Sequence, residues 1–158
     1  MEIASCTLCP RRCGAFRDDT TPGGVCGQPA LPVVARAALH HWEEPCLSGT
    51  AGSGAVFFSG CSLRCVFCQN GTISREGVGQ TVSIPRLRAI FRELIGQGAH
   101  NIDLVTPTHF TAALREALME PLGVPVVWNS GGYERVETLR SLEGLVQVYL
   151  PDMKYASP

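Results

Sequence analysis

Short apolar segments alternate with amphipathic helical segments from residue 54 onward, and this alternation restricts the fold more than any other feature. The strand-like segments are GAVFFSG, NIDLVTP, VPVVWNSGG and LVQVYLPDMK. The helix-like segments between them are SIPRLRAIFRELIGQG, TAALREALMEPLG and YERVETLRSLEG. Because strand–helix–strand units cross over with a fixed hand, the pattern predicts an α/β fold with a parallel sheet.

Polar groups follow each of the four predicted strands. A cysteine loop follows the first strand, TPTH follows the second and NSGG follows the third, while Asp152 and Lys154 follow the fourth. The carboxyl ends of parallel strands lie at one edge of the sheet, where α/β proteins build their sites. We therefore expect these groups to share a site, although NSGG alone is typical of an ordinary turn.

The loop after the first strand contains three cysteines, Cys61, Cys65 and Cys68, with the spacing C-x3-C-x2-C. Three thiolates on a 4Fe–4S cluster leave one iron open to a small molecule. We interpret the open position as the site of S-adenosylmethionine, which the reduced cluster would cleave to a 5′-deoxyadenosyl radical. The alternative is a zinc site completed by Cys46 or by the N-terminal cysteines.

A second group of cysteines lies near the N-terminus, with Gly23, Gly24 and Gly27 flanking its last member. Its members are Cys6, Cys9, Cys13 and Cys26. Four soft thiolates suit zinc or an iron–sulfur cluster, and spacing does not separate the two. We predict a second metal site that draws on its own loop; a loose segment without an ion is the alternative.

Composition favours a globular, cytoplasmic chain. Of its 158 residues, 45% are apolar and 17% are charged, and the net charge is −1 without a basic stripe. These values argue against nucleic-acid and anionic-membrane partners. No apolar run approaches the ~18 residues that span a bilayer, and the start lacks a signal-peptide core. Clustered cysteines in such a chain indicate metal binding more than disulfides.

The stretch GCSLRCVFCQN resembles the C-x3-C-x-aromatic-C signature of the radical S-adenosylmethionine superfamily. The chain from Cys6 to Lys154 resembles its uncharacterised pyruvate formate-lyase activating enzyme-like branch, through HWEEP, NIDLVTPTHF, WNSGGYE and YLPDMKY. The resemblance implies a partial parallel (β/α) barrel of the radical type, with about four of six strands present. It divides the chain into a cysteine-rich knuckle (1–30), a linker or extended segment (31–53) and an incomplete, C-terminally truncated barrel (54–158).

The resemblance also implies roles for residues near the cluster. Phe67 would lie near the adenine, and Asp152 and Lys154 match a D-x-K element that contacts S-adenosylmethionine. Thr106 and Asn129, after the second and third strands, are further candidate contacts.

The implied activity is that of a radical oxidoreductase. It would abstract hydrogen from a protein glycine, as activating enzymes do, or from a small molecule, with electrons from a flavodoxin or ferredoxin. The alternatives are an electron-transfer iron–sulfur protein, and a zinc-stabilised binding module or inactive fragment.

The last predicted strand, LVQVYL, is apolar at nearly every position. This pattern is typical of a strand covered on both faces and paired on both edges. With four strands its outer edge has no partner, so we expect the chain to self-associate.

Overall fold

The computed structural model describes residues 1–154, which form one mixed sheet with helices against it. The strands are β1 (Val33–His40), β2 (Ser53–Phe58), β3 (Gln80–Thr81), β4 (Ile102–Val105), β5 (Val126–Ser130) and β6 (Val148–Pro151). The helices are α1 (Pro45–Ser48), α2 (Gly71–Glu76), α3 (Ile84–Gly96), α4 (Thr111–Leu118) and α5 (Val136–Arg140). Within this described part of the chain, no helix is long and apolar enough to cross a membrane.

The six strands lie in the order β3-β1-β2-β4-β5-β6. The four that the sequence predicts, β2, β4, β5 and β6, run parallel, which confirms an α/β fold with a mostly parallel sheet. The whole sheet is mixed, because β1 pairs antiparallel with both β2 and β3. Residues 31–53, assigned to a linker or extended segment, contain β1 and the short helix α1, and β1 satisfies the backbone groups along one edge of β2.

The hydrophobic core lies between one face of the sheet and the helices α3 and α4. The longest helix, α3, begins at the predicted N-cap, where the Ser83 hydroxyl accepts a hydrogen bond of 3.3 Å from the Arg86 backbone N–H. Helix and strand residues with the predicted periodicity fill the core: Leu87, Ile90, Phe91, Leu94, Ala113, Leu114, Val56, Phe58, Ile102, Leu104, Val126 and Trp128. Because strand side chains alternate, the neighbouring strand residues point to the other face.

The strand β6 is less covered than its sequence predicts. Val148 and Leu150 are half-buried, and the Tyr149 side chain is 44% exposed. Among residues 1–154, β6 pairs with β5 and lies at the end of the sheet. The prediction that LVQVYL is covered on both faces is therefore wrong, because apolar composition alone does not show which faces of a strand are packed.

Candidate functional site

A cavity of about 360 Å³ opens at the carboxyl edge of the sheet. It is lined by Leu63, Gly131, Gly132, Tyr133, Pro151, Asp152, Met153 and Lys154. The structure thus brings the cysteine loop after β2, the NSGG turn after β5 and the Asp152–Lys154 pair after β6 around one space. Parallel topology accounts for this convergence, since these strands all end at the same edge.

The two glycines of the NSGG turn allow the walls of this cavity to come close together. A Cβ atom on Gly131 would lie 2.5 Å from the Leu63 Cδ1 atom of the cysteine loop. Gly132 has φ 68°, and a Cβ there would lie 3.2 Å from the Asp152 carbonyl oxygen. The close approach of Leu63 favours glycine at position 131, and the left-handed backbone favours it at position 132.

Asp152 and Lys154 form an ion pair with each other at the mouth of the cavity. The Asp152 backbone N–H donates a 2.8 Å hydrogen bond to the Ser130 carbonyl, so the chain still follows β5 at this point. Both side chains are exposed, and a ligand in the cavity can therefore meet one carboxylate and one ammonium group.

The cysteine loop presents its three thiols at different depths. Cys65 is buried, whereas Cys61 and Cys68 are half-buried. The Leu63 backbone N–H donates to the Cys61 sulfur at 3.4 Å, and the Ser74 hydroxyl of α2 donates to the Cys68 sulfur at 3.4 Å. Hydrogen bonds of this kind stabilise negative charge on sulfur and are typical around iron–sulfur ligands.

Within residues 1–154, no three His, Cys, Asp or Glu side chains converge closely enough, as they stand, to hold a metal ion. The loop nevertheless fits an iron–sulfur cluster by its donors: three soft thiols and two donors to sulfur. Closing such a site requires rotation of the half-buried thiols of Cys61 and Cys68.

Three other predicted residues lie away from the cavity lining. Phe67, in the cysteine loop, is 61% exposed. Thr106 has φ 59°, and its backbone N–H donates to the Asn129 carbonyl at 2.8 Å. The Asn129 side chain turns to Asp103, whose Oδ2 accepts from Asn129 Nδ2 at 3.4 Å.

Asp103 is a buried acidic residue that the sequence analysis missed, and it lies beside the half-buried Glu43. It lies on β4, is fully buried and points to the sheet face opposite the core. Burial, and next the negative charge of Glu43, raise the pKa of Asp103 to about 7. The available signal was an acidic residue in the middle of the otherwise apolar segment IDLV.

The N-terminal segment (residues 1–30) packs directly on the cysteine loop. Arg11 Nε donates to the Ser62 carbonyl at 2.9 Å, and Arg64 Nη1 donates to the Val25 carbonyl at 3.1 Å. A Cβ on Gly60 would lie 2.7 Å from the Cys26 carbonyl oxygen. The two cysteine groups therefore occupy neighbouring loops that touch each other.

Helix α5 holds the same segment from the other side. Arg135 Nη1 donates to the Thr7 carbonyl at 2.6 Å, and the Thr138 hydroxyl donates to the Leu8 carbonyl at 2.7 Å. These carbonyls lie between Cys6 and Cys9, both of which are buried. The backbone carrying the first two thiols of the N-terminal group is thus anchored to the sheet domain.

The four N-terminal thiols act on one another electrostatically. Burial raises the pKa of Cys9, and the neighbouring Cys6 and Cys13 raise it further against backbone hydrogen bonds that lower it. Burial likewise raises the pKa of Cys26, where Arg17 opposes the rise and Cys6 and Cys9 add to it. Backbone hydrogen bonding, chiefly at Ala15, lowers the pKa of the exposed Cys13.

A buried arginine and a buried histidine connect the N-terminal segment to the sheet. Arg17 donates from Nη1 to the His109 carbonyl at 2.9 Å and to the Cys6 sulfur at 3.4 Å. His109 Nε2 lies 2.7 Å from the Ser59 carbonyl. Burial lowers the pKa of His109 to about 4, so the ring is neutral at physiological pH, with its proton on Nε2.

Comparisons with known proteins give a relative but no activity. No protein-family model matches the chain, and no solved structure matches it significantly. The chain is similar to an uncharacterised protein of Methanocaldococcus jannaschii, with 33% identity over 162 residues that cover 97% of this chain and 46% of that protein. The chain therefore spans about half the length of the curated relative it matches.

Proposed function

We propose that this chain is the catalytic portion of a radical S-adenosylmethionine enzyme. One observation carries the proposal: the three-cysteine loop after β2 borders, through Leu63, the same cavity as Asp152 and Lys154. A redox ligand set and a polar small-molecule space thus adjoin at the carboxyl edge of a mostly parallel sheet.

In this proposal Cys61, Cys65 and Cys68 hold three irons of a 4Fe–4S cluster. When bound, the cluster supplies the electron that cleaves S-adenosylmethionine to a 5′-deoxyadenosyl radical. The Leu63 backbone N–H and the Ser74 hydroxyl stabilise the charge on two of the ligating sulfurs. The protein itself positions the three cysteine ligands and forms the cavity beside them.

The cavity residues provide complementary contacts for S-adenosylmethionine. Asp152 accepts hydrogen bonds from hydroxyl or ammonium groups, and Lys154 binds a carboxylate. Tyr133 and Leu63 supply apolar wall, while Gly131 leaves backbone groups accessible. The ion pair between Asp152 and Lys154 keeps both charges at the mouth until a ligand takes their place.

Hydrogen abstraction from a protein glycine or from a small molecule then completes the proposed reaction. A flavodoxin or ferredoxin would deliver the electron, and a reducing, cytoplasmic setting would keep the thiols available. The activity of the whole protein is part of this proposal, since the relative is about twice as long as this chain.

Anaerobic reconstitution with iron and sulfide, followed by reductant and S-adenosylmethionine, tests the proposal through formation of 5′-deoxyadenosine. Cys65→Ala should abolish both the cluster absorbance and the product. Cys46→Ala is the matched control, because Cys46 is an exposed thiol outside both groups and should change neither. Loss of the cluster in Cys46→Ala, or a full cluster without product in the wild type, would contradict the proposal.

A second candidate is an electron-transfer iron–sulfur protein. The direct contact between the two cysteine segments favours it, because neighbouring clusters exchange electrons. An electron-transfer function requires clusters that are reduced and reoxidised without consuming S-adenosylmethionine. The same assay separates the two, since only the radical enzyme produces 5′-deoxyadenosine.

A further inference from the structure

Arg17 is a buried cation without a carboxylate partner. Its side chain is fully buried, and none of the ion pairs within residues 1–154 includes it. Arg17 donates to three backbone carbonyls, those of Gln28 at 2.9 Å, Pro29 at 2.6 Å and His109 at 2.9 Å. Carbonyls satisfy hydrogen bonds but do not neutralise a charge, and a buried charge without a counter-charge is costly.

The carboxylates nearest in sequence are engaged elsewhere. Asp18 accepts hydrogen bonds from the backbone N–H groups of Thr20 and Thr21, and Asp19 pairs with the N-terminal ammonium group of Met1. The guanidinium also lies over the Phe110 ring, with Cζ 5.7 Å from the ring centroid, and its Nη1 donates to the Cys6 sulfur at 3.4 Å. A thiol is neutral, whereas a thiolate would supply the missing negative charge.

Arg17 also lies close to the backbone that packs on Cys26: a Cβ atom on Gly23 would lie 3.2 Å from Arg17 Cγ, and the Cys26 sulfur lies 3.6 Å from the Gly23 carbonyl oxygen. A free cluster of thiolates would repel itself, but a metal ion can hold four together. Because a divalent ion offsets only two of the four thiolate charges, such a centre keeps a net negative charge, which Arg17 would partly offset.

The backbone around these thiols is already shaped for close approach. Gly24 has φ 71°, and a Cβ atom there would lie 2.8 Å from the Cys13 sulfur. The Cys6 backbone N–H donates to the Ala15 carbonyl at 3.0 Å and its carbonyl accepts from the Gly14 N–H at 3.1 Å, which folds this part of the chain back on itself. Four thiols on one folded segment are the ligand set of a structural zinc site.

We propose that Cys6, Cys9, Cys13 and Cys26 form a closed tetrathiolate site for one divalent ion of the zinc type, with Arg17 as its buried counter-cation. Cys6 and Cys9 are buried, whereas Cys13 is exposed and Cys26 is half-buried; in this proposal the thiols of Cys13 and Cys26 turn inward when the ion binds. Four protein ligands leave no open position, so the site is structural.

The proposed metal site also positions the start of the cysteine loop after β2. Arg17 holds the His109 carbonyl, and His109 Nε2 donates to the Ser59 carbonyl, two residues before Cys61. On the other side Arg11 holds the Ser62 carbonyl. Ordering residues 1–30 by a metal ion therefore orders the backbone on both sides of Cys61. This positioning role rests on the proposed function of the loop, whereas the metal site does not.

Cobalt(II) titration of the full chain tests the site. The protein used for the titration carries Cys61→Ala, Cys65→Ala and Cys68→Ala, so that the thiols of the cysteine loop do not compete for Co²⁺. One equivalent of Co²⁺ should bind with the intense sulfur-to-metal absorption and visible bands of a tetrahedral tetrathiolate. Cys9→Ser should remove this spectrum and Cys46→Ser should preserve it. An octahedral spectrum, or dependence of the tetrahedral spectrum on Cys46, would overturn the proposal.

Arg17 variants test the counter-cation. Arg17→Met should weaken Co²⁺ binding about 10–100-fold, the range for partners of metal ligands, while Arg17→Lys should recover part of the loss because it retains the charge. Circular dichroism identifies any variant that fails to fold, and binding is compared between folded variants. Equal affinity in wild type and a folded Arg17→Met would overturn the role of Arg17.

Hydrogen exchange tests the positioning role without any assay of activity. Zn²⁺ added to the otherwise metal-free chain should slow amide exchange in residues 59–63 as well as in residues 1–30, and it should do so in wild type but not in Cys9→Ser. Protection confined to residues 1–30 would overturn the positioning role alone. These experiments use no iron and no S-adenosylmethionine. A negative result in them therefore does not affect the proposed radical function, and a negative result for the radical function does not affect the proposed metal site.

Discussion

The Asp103 carboxyl group lies beside that of Glu43, on the face of the sheet opposite the helices. Glu43 follows β1 in the chain, and Asp103 lies in the centre of the sheet on β4. Asp103 Oδ1 is buried without a hydrogen-bond partner, while Oδ2 accepts from Asn129. Because burial disfavours the charged carboxylate, and the negative charge of Glu43 disfavours it further, the pKa of Asp103 rises to about 7.

The first prediction concerns the pH dependence that Asp103 gives to stability. Its folded pKa of about 7 lies above the ordinary value of 3.8, so between these values the folded state holds a proton that the unfolded state releases. This contribution is therefore present at low pH and is lost as the pH rises toward about 7, by at most about 1.4 kcal/mol per pH unit. The measurement is urea unfolding of wild type and Asp103→Asn across this range.

Asp103→Asn keeps the shape and removes the ionisation. Its free energy of unfolding relative to wild type should increase as the pH rises, and the gain should level off above about pH 7. A constant difference between the two proteins at all pH values would show that Asp103 ionises normally.

The second prediction concerns His109, whose contribution to stability changes with pH in the opposite direction from that of Asp103. Burial lowers its pKa to about 4, below the ordinary value of 6.5, so the unfolded state binds a proton that the folded state does not. Its contribution to stability is present above about pH 6.5 and is lost as the pH falls toward about 4. Between these values the slopes of His109 and Asp103 oppose each other, and we expect a shallow curve for the wild type.

His109→Gln should uncover the Asp103 slope, because the glutamine amide can still donate to the Ser59 carbonyl but does not titrate. The comparison is again urea unfolding, now of His109→Gln against wild type below about pH 6.5. If the free energies of unfolding of the variant and of the wild type change with pH in parallel, His109 is excluded as the source of the opposing slope.

Local patterns in the sequence predict the central elements well. The helix α3 begins one residue after its predicted N-cap Ser83, because side-chain capping and apolar periodicity are both local. The helix predicted from Tyr133 to Gly144 shortens to Val136–Arg140, followed by turns. The antiparallel strand β1 was missed because its pairing with β2 depends on residues distant in the chain.

The gathering of loops at the carboxyl edge follows from topology, but the grouping of side chains there does not. Parallel strands bring Leu63, Gly131 and Asp152 together. Asn129 instead donates to Asp103, since alternate residues of a strand point to opposite faces, and Thr106 donates its backbone N–H to the Asn129 carbonyl with a left-handed φ that has no sequence signal. The contacts of Arg11 and Arg17 were missed because they end on backbone carbonyls, which no side-chain pattern marks.

The third prediction concerns Asp152 in the proposed ligand cavity. Asp152→Ala should weaken S-adenosylmethionine binding about tenfold, in line with about 1.5 kcal/mol for a hydrogen bond to a charged group, and leave the cluster absorbance intact. Isothermal titration of the reconstituted protein measures the change. Glu93→Ala is the matched control, because Glu93 also forms an exposed ion pair, with Arg86, but on α3 away from the cavity. Equal losses of S-adenosylmethionine affinity in the two variants would show that Asp152 does not contact the ligand.

The last prediction tests the contact between Gly131 and Leu63. A methyl group on Gly131 would lie 2.5 Å from Leu63 Cδ1, so Gly131→Ala must displace the Leu63 side chain, which lines the cavity. We expect a loss of about 1–3 kcal/mol in stability, as for an overpacked contact, and weaker S-adenosylmethionine binding. Gly96→Ala provides the control: no atom lies within 4 Å of its added Cβ, and in a helix the change should stabilise by about 0.5–1 kcal/mol. Adding Leu63→Ala to Gly131→Ala should restore part of the stability lost, because it removes the atom that clashes. If the double variant shows no such recovery in urea unfolding, the two residues do not meet across the cavity.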